Sequence, residues 1–392
     1  MSKLFFEKIV PKVEKIDNTK ELPPIPHESV DGWKKIPVKE CGEKLVPVGA
    51  FSEFPNCDTS AVYFGERGKG KEMNFLGQEV NRDVSLITHF VRKEVLKKLK
   101  IAQSLMPEDY YFRFFDNFRP LEVQQALYDA QKNKFKKEHP EWDEVQLEEK
   151  TQKYVSLPSP NKELGTTHSS PHSTGGVVDL TIIKLNNEGM RLLKELEQKM
   201  LSGKLNYPIE DAEKKNLQAV EEWIENEAKE KGWNEKHKKY VRDNWLSNYR
   251  YAREKARIFK NQATSLNMGT DFDHFGPEAG TRYFEDFAEQ RKLSKAEKEA
   301  LQNRRFLYQV MKRAGFSNYS EEWWHWSFGD NMDAANCKKE SAIYGGAKMS
   351  EENLAFEKAR RGQYFDYLDR IGKRGLFVDS IEVDNQYFKE NL

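Results

Sequence analysis

The segment SSPHSTGGVVDLTI (169–182) combines residue types that could bind a metal ion. His172 lies in a Ser- and Gly-rich turn, and Asp179 follows within an apolar run that is typical of a strand. A carboxylate in such a strand is either a tolerated surface position or a metal ligand. The turn would lead the chain into the strand and bring Asp179 back toward His172, so the two are a candidate ligand pair. Their spacing alone leaves both interpretations open.

A third candidate ligand lies in EEWWHW (321–326), where Glu322 precedes His325 and three tryptophans surround the pair. Zinc sites that perform chemistry use three protein ligands and leave a fourth position for water. His325 would complete the set with His172 and Asp179. Glu322 could then serve as the base that accepts a proton from the water. The structural alternative is that Trp and His simply pack in a half-buried strand.

The other histidines have settings that do not favour metal binding. His27 lies in a Pro-rich segment, and His139 and His237 lie in charged runs typical of solvated surfaces. His89, in LITHFVRK, is predicted to be a partly buried helix residue. His168 is separated from His172 by Ser, Ser and Pro, which argues against a helical pair of ligands.

Four ordered motifs resemble those of the zinc D-alanyl-D-alanine dipeptidases, a family that includes the vancomycin-resistance dipeptidase. SSPHSTGGVVDLTI is similar to the pattern S-x-H-x-x-G-x-x-x-D, and EEWWHWSFGD to E-W-W-H. FFDNFRP resembles D-x-Y-R-P, with Phe118 in place of the tyrosine, and NMGTDFDHF resembles the strand M-G-x-x-F-D. NRRFLYQVMKRAGF is similar to the helix that precedes E-W-W-H. The resemblance covers about 60–181 and 267–330.

This resemblance implies an α+β fold with a small antiparallel sheet flanked by helices, shared with D,D-carboxypeptidases and hedgehog amino-terminal domains. It also implies one zinc ion per chain, with Glu322 as the catalytic base and Arg119 facing the reacting carbonyl. The zinc ligands that it implies are His172, Asp179 and His325.

The same resemblance implies residues that hold the substrate. Ser170 and Asp273 would bind it, Asp273 through the substrate's ammonium group. Tyr63 resembles a substrate-contacting tyrosine, although the spacing to the next motif is longer than in the family. Asp116 lies with Arg119 at a predicted junction between a strand and a helix, and we expect it to have a supporting role.

Local patterns predict the elements that must position these residues. YYFRFFDNFRP (110–120) alternates aromatic and polar residues like a strand, and Pro120 then opens a helix. Ser294 and Glu297 form a capping box that begins another helix, which Gly315 ends. The Lys-, Glu- and Leu-rich stretch 183–262 is predicted to be helical, and strand and turn character resumes at 267–280.

These elements suggest that the chain has four parts, with boundaries where the residue composition and periodicity change. The catalytic domain comprises 51–182 and 267–330 and is preceded by an extended lead at 1–50. A helical insertion at 183–266 interrupts it, and a charged extension occupies 331–392. The insertion could roof the pocket as a lid or extend a groove for longer substrates.

Composition limits the classes of partner and compartment. The 392 residues carry 64 basic and 64 acidic side chains, so no net charge attracts nucleic acid or an anionic membrane. Three widely spaced cysteines predict neither a disulfide framework nor a cysteine zinc site. With no signal-peptide core at the start, these features predict a cytoplasmic protein. The oligomeric state is left open.

The sequence therefore predicts a zinc dipeptidase that hydrolyses D-Ala-D-Ala, a small dipeptide of peptidoglycan metabolism. One alternative is a zinc D,D-peptidase that acts on longer muropeptides or on other peptides. Another alternative is a zinc-binding scaffold without turnover. Glu322 and Arg119 argue against the scaffold, because a structural zinc site needs neither a base nor a donor to an oxyanion.

Overall fold

A computed structural model describes most of the chain, and the predicted lead and charged extension lie partly outside the described residues. The described residues are 14–49, 52–60, 62–64, 66–68, 71–73, 85–158, 169–205, 211–358 and 360. Across these ranges no helix combines the length and the apolar character needed to cross a bilayer.

The described residues form a mixed fold of helices and small sheets. The strands are β1 (Leu45–Val48), β2 (Asp58–Thr59), β3 (Glu66–Gly68), β4 (Lys71–Met73), β5 (His89–Arg92), β6 (Tyr110–Asp116), β7 (Val177–Leu185), β8 (Ala263–Ser265), β9 (Ser317–Asn318) and β10 (His325–Ser327). The α-helices are α1 (Lys93–Leu105), α2 (Leu121–Glu138), α3 (Glu144–Thr151), α4 (Asn187–Leu201), α5 (Asp211–Lys231), α6 (Glu235–Gln262), α7 (Tyr283–Gln290), α8 (Lys295–Arg313) and α9 (Asn331–Asn336). Short 3-10 helices span Trp33–Lys35, Pro171–Thr174 and Pro277–Ala279.

The main sheet has the strand order β2-β6-β7-β10-β9, and β8 also pairs with β7. Its central pairs, β6 with β7 and β7 with β10, are antiparallel. The predicted small antiparallel sheet accounts for these central pairs, but at one edge β2 and β6 run parallel. Parallel neighbours require a long crossover, which the chain between β2 and β6 supplies. Two smaller sheets pair β1 with β5 and β3 with β4.

The predicted strand and helix around Pro120 are confirmed. All but one residue of β6 is buried, because this strand is central to the sheet and helices cover it. Pro120 then occupies the position before α2 with φ −55°, a value that suits a helix start. The junction between β6 and α2 fixes where Asp116 and Arg119 leave the scaffold.

The predicted helix at Ser294 is also confirmed. The Ser294 side chain accepts from the backbone of Glu297, and the Glu297 side chain accepts in return from the backbone of Ser294. The buried face of α8 includes Leu307, Val310 and Met311, which belong to the main core beneath the sheet. This helix therefore supports the segments that precede and follow it.

The stretch 183–262, predicted to be helical, contains α4, α5 and α6, but its first three residues belong to β7. These helices leave the sheet at the end of β7 and return at β8, where Leu185 pairs with Ala263. They pack on this end of the sheet through a separate cluster that includes Leu193 and Phe259. That the block is an insertion stays a prediction, as does the division into domains.

Two local predictions are wrong. His89 is the buried first residue of β5 rather than a helix residue, because the sequence around it pairs with β1. The segment 267–276 forms turns rather than a strand, since Gly269 and Asp273 have φ values of 85° and 59°. Positive φ is incompatible with an extended strand.

Candidate metal centre

Strand pairing brings two of the predicted ligands together. Asp179 of β7 lies directly opposite His325 of β10 in the antiparallel register. Directly opposed residues project from the same face of a sheet and lie about 5 Å apart. His172 occupies the short 3-10 helix just before β7. One ligand atom from each of the three residues lies within 4.8 Å of the others.

The three side chains are buried and have the donor chemistry of a zinc site. His172 Nε2 lies 3.3 Å from Asp179 Oδ2, and His325 Nδ1 lies 3.2 Å from Asp179 Oδ1. Oδ1 nevertheless receives no hydrogen bond of acceptable geometry. A buried carboxylate oxygen without a donor is costly unless a cation satisfies it. Two imidazoles and one carboxylate therefore fit a zinc ion that retains an open position.

A carbonyl oxygen and a carboxylate on the Nδ1 side of the His172 ring orient it. Its Nδ1 donates to the carbonyl oxygen of Asn117 at 2.9 Å and lies 3.0 Å from Asp116 Oδ2. With the proton held at Nδ1, Nε2 keeps its lone pair and faces Asp179. Ligating histidines generally donate their second nitrogen in this way, which fixes the tautomer and the ring plane.

The His325 ring has the opposite orientation. Its Nε2 lies 3.5 Å from Ser327 Oγ, and that hydroxyl donates to Asp330 Oδ2 at 3.3 Å. Nδ1 is therefore the nitrogen that faces Asp179. No motif predicts that Ser327 and Asp330 lie behind His325, because their positions depend on the turn that follows β10.

Burial sets the protonation of the ligand cluster. It lowers the pKa of His172 well below its ordinary value and also lowers the pKa of His325. Neutral imidazole is the form that binds metals. Burial, with the neighbouring Asp116 carboxylate, raises the pKa of Asp179 well above its ordinary value. A bound cation would reverse that direction, because positive charge favours the carboxylate.

Glu322 stands beside the cluster and lines the cavity. Its Oε2 lies 3.6 Å from His325 Nδ1, and its side chain is 34% exposed. Burial in the cavity, with the Asp179 and Asp273 carboxylates nearby, raises the pKa of Glu322 to about 8. Glu322 therefore lies beside the proposed ligands without belonging to the ligand group.

Arg119 is held rigidly with its guanidinium at the cavity. Its Nε and one terminal nitrogen donate to Asp116 Oδ2 at 2.9 and 2.6 Å, and the other terminal nitrogen donates to Gln124 Oε1 at 2.7 Å. The Tyr63 hydroxyl accepts a further hydrogen bond at 3.1 Å, and the guanidinium carbon lies 4.4 Å from the Tyr63 ring centroid. Asp116 thus supports both Arg119 and His172 rather than lining the main cavity.

Gln124 is a residue of the candidate site that the motifs do not predict. It is buried in the first turns of α2, accepts from Arg119, and donates to the carbonyl oxygen of Ser156 at 2.6 Å. It therefore joins Arg119 to the loop after α3. No pattern in the sequence distinguishes it from the other glutamines of α2, because its partners come from outside the helix.

A cavity of about 190 Å³ opens over the cluster. Its walls include Trp33 and Lys34 from the lead, and the loop 152–156 that follows α3. Among the described residues that line it, none belongs to 183–262. A role for the helical block as a lid or as an extension of a groove stays a prediction.

The predicted substrate contacts have different locations. Tyr63 and Asp273 line the cavity, and burial raises the pKa of Asp273 to about 6. Ser170 is buried beside it, with its Oγ 2.8 Å from Ser173 Oγ, and is not a lining residue. The role of each in binding substrate stays a prediction.

Residues 221–341 match the family model described as D-ala-D-ala dipeptidase. This match confirms the family resemblance. The matched segment contains Asp273, Glu322 and His325. Strand pairing joins it to the candidate ligand Asp179, which lies outside it, as does His172. The dipeptidase family is zinc-dependent, so the match supports a metallopeptidase. No curated protein matches the chain.

We expect Asp179→Asn to lose zinc. Asparagine keeps the size of the side chain but removes its charge and one of the oxygens that face the two imidazoles. Removing a residue that hydrogen-bonds to a metal ligand typically lowers metal affinity ~10- to 100-fold, and we expect the loss of zinc affinity here to be larger. Zinc content after dialysis against a weak chelator measures it, with the exposed Asp129→Asn as the control. Equal zinc retention in both variants would contradict the ligand assignment.

Proposed function

We propose that this protein is a zinc-dependent dipeptidase that hydrolyses D-Ala-D-Ala by attack of water on the peptide carbonyl. The observation that carries the proposal is one cavity that contains the ligand cluster, Glu322 and Arg119 together. A purely structural zinc site requires neither a carboxylate outside the ligand set nor a guanidinium. The alternative of a silent scaffold is therefore disfavoured.

Glu322 is the group that moves the proton. When bound, zinc would polarise the carbonyl and lower the pKa of a water molecule toward ~7. Glu322, beside His325, accepts the proton of that water as it adds to the peptide carbon. The same carboxyl then returns the proton to the departing amine, so one residue serves as base and then as acid.

Arg119 stabilises the negative charge that develops on the carbonyl oxygen. A guanidinium keeps its charge and presents donors in a fixed plane. Asp116, Gln124 and Tyr63 hold that plane before the substrate arrives. Little reorganisation is then needed in the transition state, which is where such a donor contributes most.

The walls of the cavity favour a short peptide over a long muropeptide. The cavity that holds the ligand cluster has a volume of about 190 Å³. The exposed rings of Tyr154 and Phe275 both line the cavity, with centroids 5.7 Å apart. Asp273 supplies a carboxylate for the ammonium group of a free dipeptide.

The test is a panel of D,D-, L,D- and L,L-dipeptides and longer muropeptides, with and without a chelator. We expect D-Ala-D-Ala to have the highest kcat/KM, and chelation to abolish its hydrolysis until zinc is restored. Preference for the muropeptides would favour the longer-substrate alternative. Zinc binding without hydrolysis of any peptide would contradict the proposed function.

A further inference from the structure

Arg304 of α8 is a buried cation whose partners are all neutral. The side chain is 1% exposed, and no carboxylate within the described part of the chain forms an ion pair with it. Its three guanidinium nitrogens donate instead to three backbone carbonyl oxygens. These belong to Met268 at 2.7 Å, Glu278 at 2.7 Å and Gly280 at 2.6 Å.

Burying a guanidinium with only neutral partners is energetically unfavourable. Removing a guanidinium from water is unfavourable, and a carboxylate partner normally offsets part of the cost. Burial lowers the pKa of Arg304 to about 9, so the group still carries its charge at neutral pH. Its guanidinium carbon also lies 4.6 Å from the Phe284 ring centroid. An apolar side chain would fill this position without the desolvation cost, but it could not bind three carbonyl groups.

The three carbonyl groups lie at the two ends of one loop, 268–280. Near its start, Gly269 has φ 85° and lies against Phe284, where a Cβ atom would come within 2.3 Å of the ring. Trp323 Nε1 donates to Thr270 Oγ1 at 2.8 Å. A single guanidinium thus closes the loop, and α8 and the Trp323 side chain hold its first turn.

Asp273 occupies the middle of this loop in a conformation that needs support. Its φ of 59° lies in the left-handed region, which is unfavourable for residues other than glycine. Backbone strain of this kind persists only where the surroundings over-determine it. Arg304 binds both ends of the loop and Trp323 binds its first turn, and Asp273, between these anchored ends, lines the cavity.

We propose that Arg304 is a positioning residue that holds the loop 268–280 so that Asp273 can bind the amino terminus of the substrate. The inference rests on the proposed function and deepens it. It gives α8 a role in substrate binding. Arg304 lies behind the loop and acts through Asp273.

The experiment is a double-mutant cycle of Arg304→Lys and Asp273→Asn. Lysine keeps the positive charge but loses the planar fork that reaches both ends of the loop. Alone, Arg304→Lys should raise KM for the dipeptide by about 10- to 100-fold, the equivalent of one charge-assisted hydrogen bond, with a smaller change in kcat. In the Asp273→Asn background the same change should have little further effect on KM.

The matched control is Arg305→Lys, the next residue of α8. Arg305 pairs with Glu285 at 2.6 Å and contacts the lead rather than the loop. We expect it to leave KM unchanged. Amide hydrogen exchange tests the positioning role independently of activity. The backbone amides of the loop 268–280 should exchange faster in Arg304→Lys than in Arg305→Lys. A second variant, Arg304→Met, should show both effects more strongly.

The results distinguish a failure of the positioning role of Arg304 from a failure of the proposed dipeptidase function. If the wild-type protein hydrolyses peptides but the Arg304 and Asp273 effects on KM multiply, the positioning role is wrong and the proposed function stands. Unchanged loop exchange in Arg304→Lys would also overturn the positioning role. If the wild-type protein hydrolyses no peptide, the proposed function fails and the substrate role of Arg304 fails with it.

Discussion

Glu322→Gln is expected to abolish hydrolysis of D-Ala-D-Ala while leaving zinc binding intact. Glutamine keeps the shape of the side chain but cannot accept a proton from water. General base catalysis commonly contributes about 10²- to 10⁴-fold, so kcat should fall by at least that range. Glu322 lies outside the ligand cluster of His172, Asp179 and His325, so one equivalent of zinc should remain.

The control for this variant is Glu321→Gln. Glu321 is the exposed neighbour, and the change removes the same charge from the same segment. Steady-state rates and zinc content, measured on both variants, give the comparison. Hydrolysis by Glu322→Gln within a factor of a few of the wild-type rate would remove its assignment as the base. Zinc loss from Glu322→Gln would indicate instead that this carboxylate is a ligand.

Arg119→Lys should lower kcat by about 10²- to 10³-fold, the usual effect of losing one donor to an oxyanion. Lysine retains the charge, but its single ammonium cannot contact Asp116, Gln124 and Tyr63 with the planar fork that now reaches all three. The reacting carbonyl would then face a mobile cation. KM should change less than kcat, because the interaction is made mainly in the transition state.

Arg113→Lys is the matched control for Arg119→Lys. Arg113 is buried like Arg119, but it lies on β6, pairs with the Asp58 carboxylate at 2.6 Å and does not line the cavity. We expect this variant to lower the free energy of unfolding and to leave kcat near the wild-type value. Equal losses of kcat in both variants would mean that Arg119 acts only through stability. An Arg119→Lys effect confined to KM would contradict its role in the transition state.

Several parts of the fold were predictable because their signals are local. Pro120 marks the start of α2, and the capping box of Ser294 and Glu297 marks the start of α8. The apolar run around Asp179 indicates a strand. Each signal depends on residues a few positions apart, where backbone geometry and side-chain hydrogen bonds act without help from distant segments.

Segment 267–276 is where the local signal failed. Its strand and turn character, with its resemblance to the family strand M-G-x-x-F-D, suggested a strand, but the positive φ values of Gly269 and Asp273 break the extended path. The conformation depends on Arg304 and Trp323, which follow later in the chain. The strand propensity of the segment is overridden because side chains from distant segments form hydrogen bonds with it, and these bonds replace those of a strand pair.

By itself, the sequence of this protein determined the residue types of the candidate site, the elements that flank them and the family that its motifs resemble. Only the tertiary structure decided that Asp179 lies opposite His325, that Gln124 holds Arg119, and that the lead reaches the cavity. The physical reason is that these contacts join segments far apart in the chain. Their geometry follows from strand register and the packing of the core, which no short stretch of residues specifies.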